Sequence, residues 1–121
     1  MVNESYYYQD KPLWRRISDY PFKEGQVYQW RRQYIRVNKK GIFPTFTANM
    51  GMGGHNVPIV LDARGVRKLT PRECFRIQGF SETYKLPELA DCHLYKQAGN
   101  SVSISVVKRI AKAMREAAEA R

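Results

Sequence analysis

Hydrophobic and polar residues alternate along one long stretch of the chain. From residue 26 to residue 37, aromatic and β-branched residues alternate with polar ones, which predicts β-structure. We expect a basic turn at 38–41 to end this segment, and further short strands at 42–48 and 57–61. Residues 26–65 are therefore predicted to be mainly β.

A short capped helix is predicted after this β region. Thr70, Pro71 and Glu73 have the order of an N-cap, a first helical residue and the acidic member of a capping box. Gly79 permits the left-handed backbone that ends a helix. Cys74 lies inside this helix, where we expect it to face the core.

A longer helix is predicted from about 103 to 120, because apolar residues recur there on one face. This apolar stripe comprises Val106, Val107, Ile110, Ala111 and Met114. Residues 81–96 are predicted to be irregular, because Pro87 interrupts a helix. Residues 1–25 are aromatic and polar with little periodicity and stay unassigned.

Length and composition restrict the class of protein. A chain of 121 residues can bury one modest core, and its 43% hydrophobic content is too high for a disordered tail. No apolar run reaches the roughly 18 to 20 residues that cross a bilayer. Cys74 and Cys92 are the two cysteines, so we expect no disulfide framework and a reducing cytoplasm.

The positive charge indicates a polyanionic partner. Lysine and arginine number 21 against 11 acidic residues, which gives a net charge of +10 that is spread along the chain. Binding to nucleic acid with release of counterions is the simplest physical use of such a surface. A solvated basic face that only maintains solubility is the alternative.

Residues 49–56 form a glycine-rich segment between two predicted strands. Its spacing is not that of a phosphate-binding P-loop, since neither Lys-Ser nor Lys-Thr follows. The segment is either a plain connection between strands or a loop whose glycines allow close approach to a ligand.

Two strings of residues resemble a known family when they are taken together. Residues 67–80 read Arg-Lys-Leu-Thr-Pro-Arg-Glu-Cys-Phe-Arg-Ile-Gln-Gly-Phe, and Gln-Ala-Gly-Asn-Ser-Val begins 17 residues later at 97. They closely resemble the last two sequence motifs of the DNA cytosine-5 methyltransferases. The resemblance covers roughly residues 26–116.

This resemblance implies an α+β fold in two parts. Residues 26–99 would belong to a small β-rich target-recognition domain that includes the capped helix. Residues 100–121 would form a helix that completes the catalytic domain by packing on the α/β, Rossmann-like sheet of a partner.

The resemblance also implies double-stranded DNA as a partner. Glycine-rich loops of the target-recognition domain enter the major groove, where polar side chains read base edges and arginines bind phosphates or guanine. The residues that we expect to bind DNA are Arg31, Arg32, Arg36, Lys39, Lys40, Thr47, Asn49, Gly51, Gly53, Gly54, His55 and Asn56.

Residues for the chemical step are missing from the sequence. The catalytic cysteine of the family lies in a Pro-Cys-Gln segment, whereas this chain contains neither Pro-Cys nor the Glu-Asn-Val and Phe-x-Gly-x-Gly segments. Cys92 and His93 are neighbours that would point to opposite faces of an extended chain. We therefore assign no catalytic residue, and the cysteine and histidine spacing does not predict a metal site.

The second motif implies one edge of the S-adenosyl-L-methionine pocket. Asn100 and Ser101 match the positions at which the family closes this pocket, and Ser101 is also a candidate N-cap of the final helix. A plain helix cap without cofactor contact is the alternative.

The resulting hypothesis is the smaller subunit of a split DNA (cytosine-5-)-methyltransferase of a restriction-modification system. A larger chain in the interior of a bacterial or phage-infected cell would supply the catalytic cysteine, and the isolated chain would be inactive and prone to self-association. The alternatives are a free-standing DNA-binding module, a decayed fragment, and an interaction protein whose basic face binds other acidic partners.

Overall fold

A computed structural model describes residues 1–38, 42–51 and 57–120. The α+β class predicted from the sequence is confirmed, and none of the described helices is long and apolar enough to cross a membrane. The elements, in chain order, are a 3₁₀ helix at Glu4–Tyr6, α1 at Trp14–Ile17, β1 at Val27–Arg31, β2 at Tyr34–Asn38, β3 at Ile59–Asp62, β4 at Gly65–Lys68, α2 at Pro71–Ile77, α3 at Asp91–Asn100 and α4 at Ile104–Glu119.

The four strands form one antiparallel sheet in the order β2-β1-β3-β4. The turn between β1 and β2 lies at Arg32 and Gln33, whose φ angles of 49° and 66° suit the tight hairpin turns that match strand twist. Our prediction of one β segment running to a turn at 38–41 is therefore wrong. The turn could not be recognised from the alternation, because no glycine or asparagine occurs at Arg32 and Gln33. Residues 39–41, where we had predicted the turn, lie outside the described residues.

Residues 42–48 form no strand, contrary to prediction. Pro44 lacks the N–H group that a strand ladder requires, and Phe46 is buried in the core. The strand predicted at 57–61 is present as β3, but it begins two residues later and ends one residue later than predicted. Strand β4 was not predicted.

Two hydrophobic clusters lie in the described part of the molecule. One gathers residues from the 46–57 region, α2 and α3, and comprises Phe46, Met50, Val57, Leu69, Cys74, Phe75, Tyr95 and Ala98. The other joins the sheet to residues 1–25, which had been left unassigned, and comprises Tyr8, Ile17, Tyr28, Trp30, Ile59 and Val66. The N-terminal segment is therefore packed on the sheet.

Helix α2 agrees with the predicted capping pattern. The Thr70 hydroxyl accepts from the Glu73 N–H at 3.2 Å, and the Glu73 carboxylate accepts from the Thr70 N–H at 2.9 Å. Gly79 follows the helix with a φ of 95°, as expected of the residue that ends it. Cys74 is fully buried.

Helix α3 occupies part of the segment that we predicted to be irregular, so that prediction is wrong for 91–96. Pro87 lies before the helix and does not interrupt it. Leu94, Tyr95 and Ala98 are buried at helical spacing, and this pattern in the sequence is a signal for α3. Cys92 and His93 consequently lie in the first turn of a helix and not on an extended chain.

Helix α4 confirms the predicted final helix to within a residue at each end. None of its residues is buried, and Val106, Ile110 and Met114 are 55%, 54% and 67% exposed. An apolar stripe on a 16-residue helix thus faces solvent in the isolated chain.

Candidate nucleic-acid interface

The β1–β2 hairpin separates its side chains onto two faces. Tyr28 and Trp30 are buried on the face that packs on the N-terminal segment. Gln29 is paired with Arg36 on the other face, and Arg31 lies two residues from Gln29 on that same face. The strand register therefore brings Arg31 and Arg36, both predicted DNA-binding residues, to one side of the sheet.

A concave surface of about 480 Å³ lies over this polar face. We call it the hairpin hollow. Its lining residues are Gln29, Arg31, Arg36, Asn38, Phe43, Pro44, Thr45 and Thr47. The hollow joins three predicted DNA-binding residues, Arg31, Arg36 and Thr47, to side chains that sequence analysis missed. For Gln29 and Asn38, their period-2 spacing with Arg31 and Arg36 on the hairpin was the available signal.

The hairpin arginines carry uncompensated charge. Arg31, Arg32 and Arg36 are exposed, and none of their guanidinium groups has an ion-pair or hydrogen-bond partner within the described ranges. The sequence contains no aspartate or glutamate from residue 25 to residue 61. An anion or hydrogen-bond acceptor is therefore the chemistry that this face is equipped to bind.

The described part of the glycine-rich segment begins beside the hairpin hollow. Thr47 and Asn49 are exposed, whereas Met50 is fully buried and anchors the segment to the core. Gly51 has a φ of 85°, and a Cβ built on it would lie 2.6 Å from the Tyr95 ring. The other predicted DNA-binding residues, which are Lys39, Lys40, Gly53, Gly54, His55 and Asn56, lie outside the described residues.

Helix α3 contacts this segment closely. A Cβ built on Gly99 would lie 1.9 Å from the carbonyl oxygen of Thr47, so the two backbones approach each other only because residue 99 is glycine. Gly99 belongs to the Gln-Ala-Gly-Asn-Ser string. The contact brings predicted DNA-binding residues next to the predicted cofactor-binding ones.

The structure corrects the expected role of Ser101. Asn100 is the exposed last residue of α3, and Ser101 caps its end, where the Ser101 hydroxyl donates to the Ala98 carbonyl at 2.7 Å. Ser103 is the N-cap of α4, although its side chain makes no capping hydrogen bond. The prediction of Ser101 as this N-cap is wrong because α3, which was not predicted, extends to Asn100.

Ser101 lines a second hollow of about 350 Å³, together with Gln78, Ser103 and Phe46. Phe43, Pro44 and Thr45 line both hollows, so one short segment separates the two. Hydroxyl and amide groups on an apolar wall suit a ligand that carries both polar and apolar parts. Ser101 therefore fits the edge of a site for such a ligand, whereas Asn100 precedes Ser101 in the chain and does not line this hollow.

A buried ion-pair network fixes the first sequence motif to the sheet. The Arg67 guanidinium, 10% exposed, donates to Asp62 at 2.6 Å and to both oxygens of Glu73 at 2.8 and 3.1 Å. Tyr7 donates to Asp62 at 2.7 Å. Burial alone would raise the pKa of Asp62, but the hydrogen bonds from Arg67 and Tyr7 outweigh it and hold the pKa at about 2.

The cysteines have different surroundings. Burial raises the pKa of the Cys74 thiol to about 12, so it stays protonated at neutral pH and is a poor nucleophile. Cys92 is half-buried at the start of α3. Within the residues described, no group of three or more histidine, cysteine, aspartate or glutamate side chains is arranged to hold a metal ion.

Known proteins match almost the whole chain. A family model described as C-5 cytosine-specific DNA methylase matches residues 2–116. The chain is 55% identical over 108 residues to the type II methyltransferase M.Bsp6I of Bacillus sp. (strain RFL6), covering 88% of this chain and 34% of that protein. It is 36% identical over 115 residues to the type II methyltransferase M.NlaX of Neisseria lactamica, covering 86% and 36%.

A further relative comes from a phage. The orphan methyltransferase M.Rho11sI of Bacillus phage rho11s is 39% identical over 87 residues, which is 68% of this chain and 17% of that protein. The chain thus spans about a third or less of the length of these relatives. No solved structure matches it.

Proposed function

This chain belongs to the C-5 cytosine-specific DNA methylase family, and we propose that it recognises DNA and closes one side of the S-adenosyl-L-methionine pocket in such an enzyme. The type II methyltransferases among its relatives favour a role in restriction-modification. The observation that carries the proposal is the contact of Gly99 with Thr47. It brings the expected DNA-binding residues next to the expected cofactor-binding residues.

The proposed DNA-binding role is supported by the hairpin. The side chains of its three arginines are exposed and without partners inside the described ranges, and the hairpin hollow lies beside the start of the glycine-rich segment. Double-stranded DNA supplies both phosphates and base-edge acceptors for such side chains. Asn49 and His55 remain our candidates for choosing the recognised sequence.

Asn100 and Ser101 are proposed to contact S-adenosyl-L-methionine, which supplies the methyl group when it is bound. The exposed Asn100 amide can donate and accept, and the Ser101 hydroxyl keeps its lone pairs after donating to Ala98. Ser103 at the start of α4 adds a hydroxyl beside backbone N–H groups that favour a carboxylate.

Catalysis is proposed to come from a larger polypeptide. Neither cysteine of this chain follows a proline, and Cys74 is buried and protonated. In the complete enzyme a thiolate of the larger polypeptide would add to C6 of a flipped cytosine, and C5 would take the methyl group of S-adenosyl-L-methionine, with S-adenosyl-L-homocysteine as the leaving group. Loss of the C5 proton and elimination of the thiolate would then release 5-methylcytosine.

The exposed stripe of α4 is proposed to pack on that larger chain. Burying a side chain of the size of Val106, Ile110 or Met114 is worth on the order of 1.5–3 kcal/mol. Contiguous apolar surface of this kind usually marks an interface. Without the larger chain, the same stripe favours self-association.

The first test is methyl transfer. Purified chain with duplex DNA and radiolabelled S-adenosyl-L-methionine should transfer no label, whereas addition of a polypeptide with the Pro-Cys-Gln and Glu-Asn-Val segments should restore transfer. Cys74→Ser and Cys92→Ser should leave the restored activity intact. Transfer by this chain alone would refute the assignment of catalysis to a partner.

A second test addresses the cofactor. In the restored enzyme, Asn100→Ala and Ser101→Ala should raise the KM for S-adenosyl-L-methionine more than the KM for DNA. Lys96→Ala, which changes an exposed residue of the same helix, is the control. Unchanged cofactor affinity with lowered thermal stability would favour a plain capping role.

A third test addresses assembly. Ile110→Asp should abolish co-purification with the catalytic polypeptide and leave residues 1–100 folded, because Ile110 is exposed in the isolated chain. Ser105→Asp puts the same charge on the opposite side of α4 and should assemble normally. Equal assembly of both variants would argue against docking through the stripe.

A free-standing DNA-binding module is the second candidate. It is favoured by the unpaired hairpin arginines, which need no catalytic chain in order to bind DNA. Sequence-specific binding by a chain that neither self-associates nor assembles with a methyltransferase polypeptide would support this candidate.

A further inference from the structure

We infer that Gln78 is the positioning residue that holds residues 101–103 in place for the binding of S-adenosyl-L-methionine. This inference rests on the proposed role of Ser101 in the cofactor pocket. It assigns a task to a residue of the first sequence motif, which lies at the end of α2.

The side chain of Gln78 anchors the end of α3. Its amide nitrogen Nε2 donates to the Ala98 carbonyl at 3.1 Å. The same carbonyl accepts from the Ser101 N–H at 3.3 Å and from the Ser101 hydroxyl at 2.7 Å. The two bonds from Ser101 are local and shape the turn, whereas Gln78 lies 20 residues away in the chain. The bond from Gln78 therefore attaches this turn to another element of the fold.

The backbone at the end of α2 holds the start of α4. The Ile104 N–H donates to the Gln78 carbonyl at 2.8 Å. Gly79 lies equally close to α4, since a Cβ built on it would be 3.2 Å from the Cβ of Ile104. Ala98 and Ile104 flank residues 101–103, so Gln78 holds this segment from both sides.

Residues 101–103 depend on such an anchor because α4, which follows them, has no buried residue. Ser101 and Ser103 line the second hollow together with Gln78. Hydroxyl groups on a segment that is already held in place lose less conformational freedom when a ligand binds. Gln78 is thus expected to strengthen cofactor binding through the two serines, while its own Nε2 donates to Ala98.

The first measurement uses the isolated chain without cofactor. Gln78→Met keeps an unbranched side chain of similar length and removes the donor to Ala98. We expect hydrogen exchange of the Ser101 and Ile104 amides, followed by NMR, to become roughly 5-fold faster, the factor that corresponds to one hydrogen bond. The Cys74 amide, which donates to Thr70 inside α2, is the internal reference and should exchange at an unchanged rate.

The second measurement uses the enzyme restored with the catalytic polypeptide. Gln78→Met should raise the KM for S-adenosyl-L-methionine roughly 5-fold and leave kcat and the KM for DNA within about 2-fold. Gln78→Lys supplies a new donor at the end of α3, where positive charge is favoured, and should recover most of the loss in both measurements. Gln97→Met is the matched control, because it makes the same change at an exposed position of α3.

The two measurements separate the inference from the proposed function. If Ser101→Ala raises the KM for the cofactor but Gln78→Met does not, the proposed pocket stands and the inference is wrong. A raised KM in Gln78→Met with unchanged amide exchange also overturns it, since Gln78 would then act on the cofactor directly. If exchange becomes faster while neither variant changes the KM, residues 101–103 do not contact the cofactor, and the proposed pocket fails together with the inference.

Discussion

The arginines of the β1–β2 hairpin and those of the first sequence motif look alike in the sequence but have different surroundings in the fold. The guanidinium groups of Arg31 and Arg36 are exposed without partners in the described part of the chain, whereas that of Arg67 is buried between two carboxylates. Acidic residues make the difference, because none occurs from residue 25 to residue 61. The net charge of +10 is therefore not distributed as free charge over the whole surface.

The largest expected difference between the hairpin arginines and Arg67 is in their contribution to the free energy of unfolding. Arg67→Ala removes the partner of both Asp62 and Glu73 and leaves two partly buried carboxylates together, so we expect a loss of roughly 3 kcal/mol in the free energy of unfolding. Arg36→Ala is the control and should change it by less than about 0.5 kcal/mol. Urea denaturation measures both, and similar losses would contradict the distinction.

Acid should weaken the Arg67 network and not the hairpin. The pKa of Asp62 is about 2 in the folded chain, despite burial that opposes the shift, and the pKa of Glu73 is lowered in the same way. An unfolded chain with pKa values near 4 binds more protons in this range, so stability is present above about pH 4 and is lost as the pH falls toward 2.

We expect a decrease of about 1 kcal/mol from Asp62, a modest figure because its side chain is partly exposed. The measurement is thermal unfolding between pH 5 and pH 2.5. Asp62→Asn should show a shallower dependence on pH than the unmodified chain. An equal pH dependence of the unfolding temperature in the two proteins would mean that protonation of Asp62 does not weaken the Arg67 network.

Removal of the Tyr7 hydroxyl tests how much the N-terminal segment contributes to folding stability. Tyr7→Phe removes the 2.7 Å hydrogen bond to Asp62 and keeps the ring under Arg64, so we expect a loss of about 1 kcal/mol. Tyr34→Phe is the matched control, because Tyr34 is exposed and its hydroxyl has no hydrogen-bond partner in the described structure. Differential scanning calorimetry compares the two; an equal effect would exclude Tyr7 from the network.

The smallest effect is expected at Arg76, which belongs to the same motif as Arg67 but lies at the surface. It pairs with Glu82, and the two side chains are 56% and 61% exposed. Solvent screens such a pair, so Arg76→Gln should leave the unfolding midpoint unchanged within error. A large loss would mean that membership of the motif, and not burial, determines the contribution of each arginine.

Features set by neighbours in the chain were predicted well. The capping box of Thr70 and Glu73 and the turn at Gly79 are both present, because their partners lie within a few residues. The final helix also agrees with its periodicity. The tight turn at Arg32 and Gln33 was missed, since its residues are atypical of turns and only strand pairing fixes their conformation.

The candidate site was predicted in part. Arg31, Arg36 and Thr47 do line one hollow, whereas Asn38 and Thr45 were not anticipated. Ser101 was assigned to the wrong helix end because α3 had been missed. The hollow depends on residues distant in sequence, whereas α3 had a local signal in the helical spacing of Leu94, Tyr95 and Ala98.

The sequence by itself determined the family resemblance, the capped helix, the apolar stripe of α4 and an excess of positive charge. The tertiary structure alone decided which arginines are free, how Gly99 meets Thr47, and that Gln29, Arg36 and Thr45 share a hollow. The physical reason is the separation along the chain between the residues that interact. Caps and periodicity act over a few residues along one element, whereas burial, ion pairing and concave surfaces arise only when separate segments pack together.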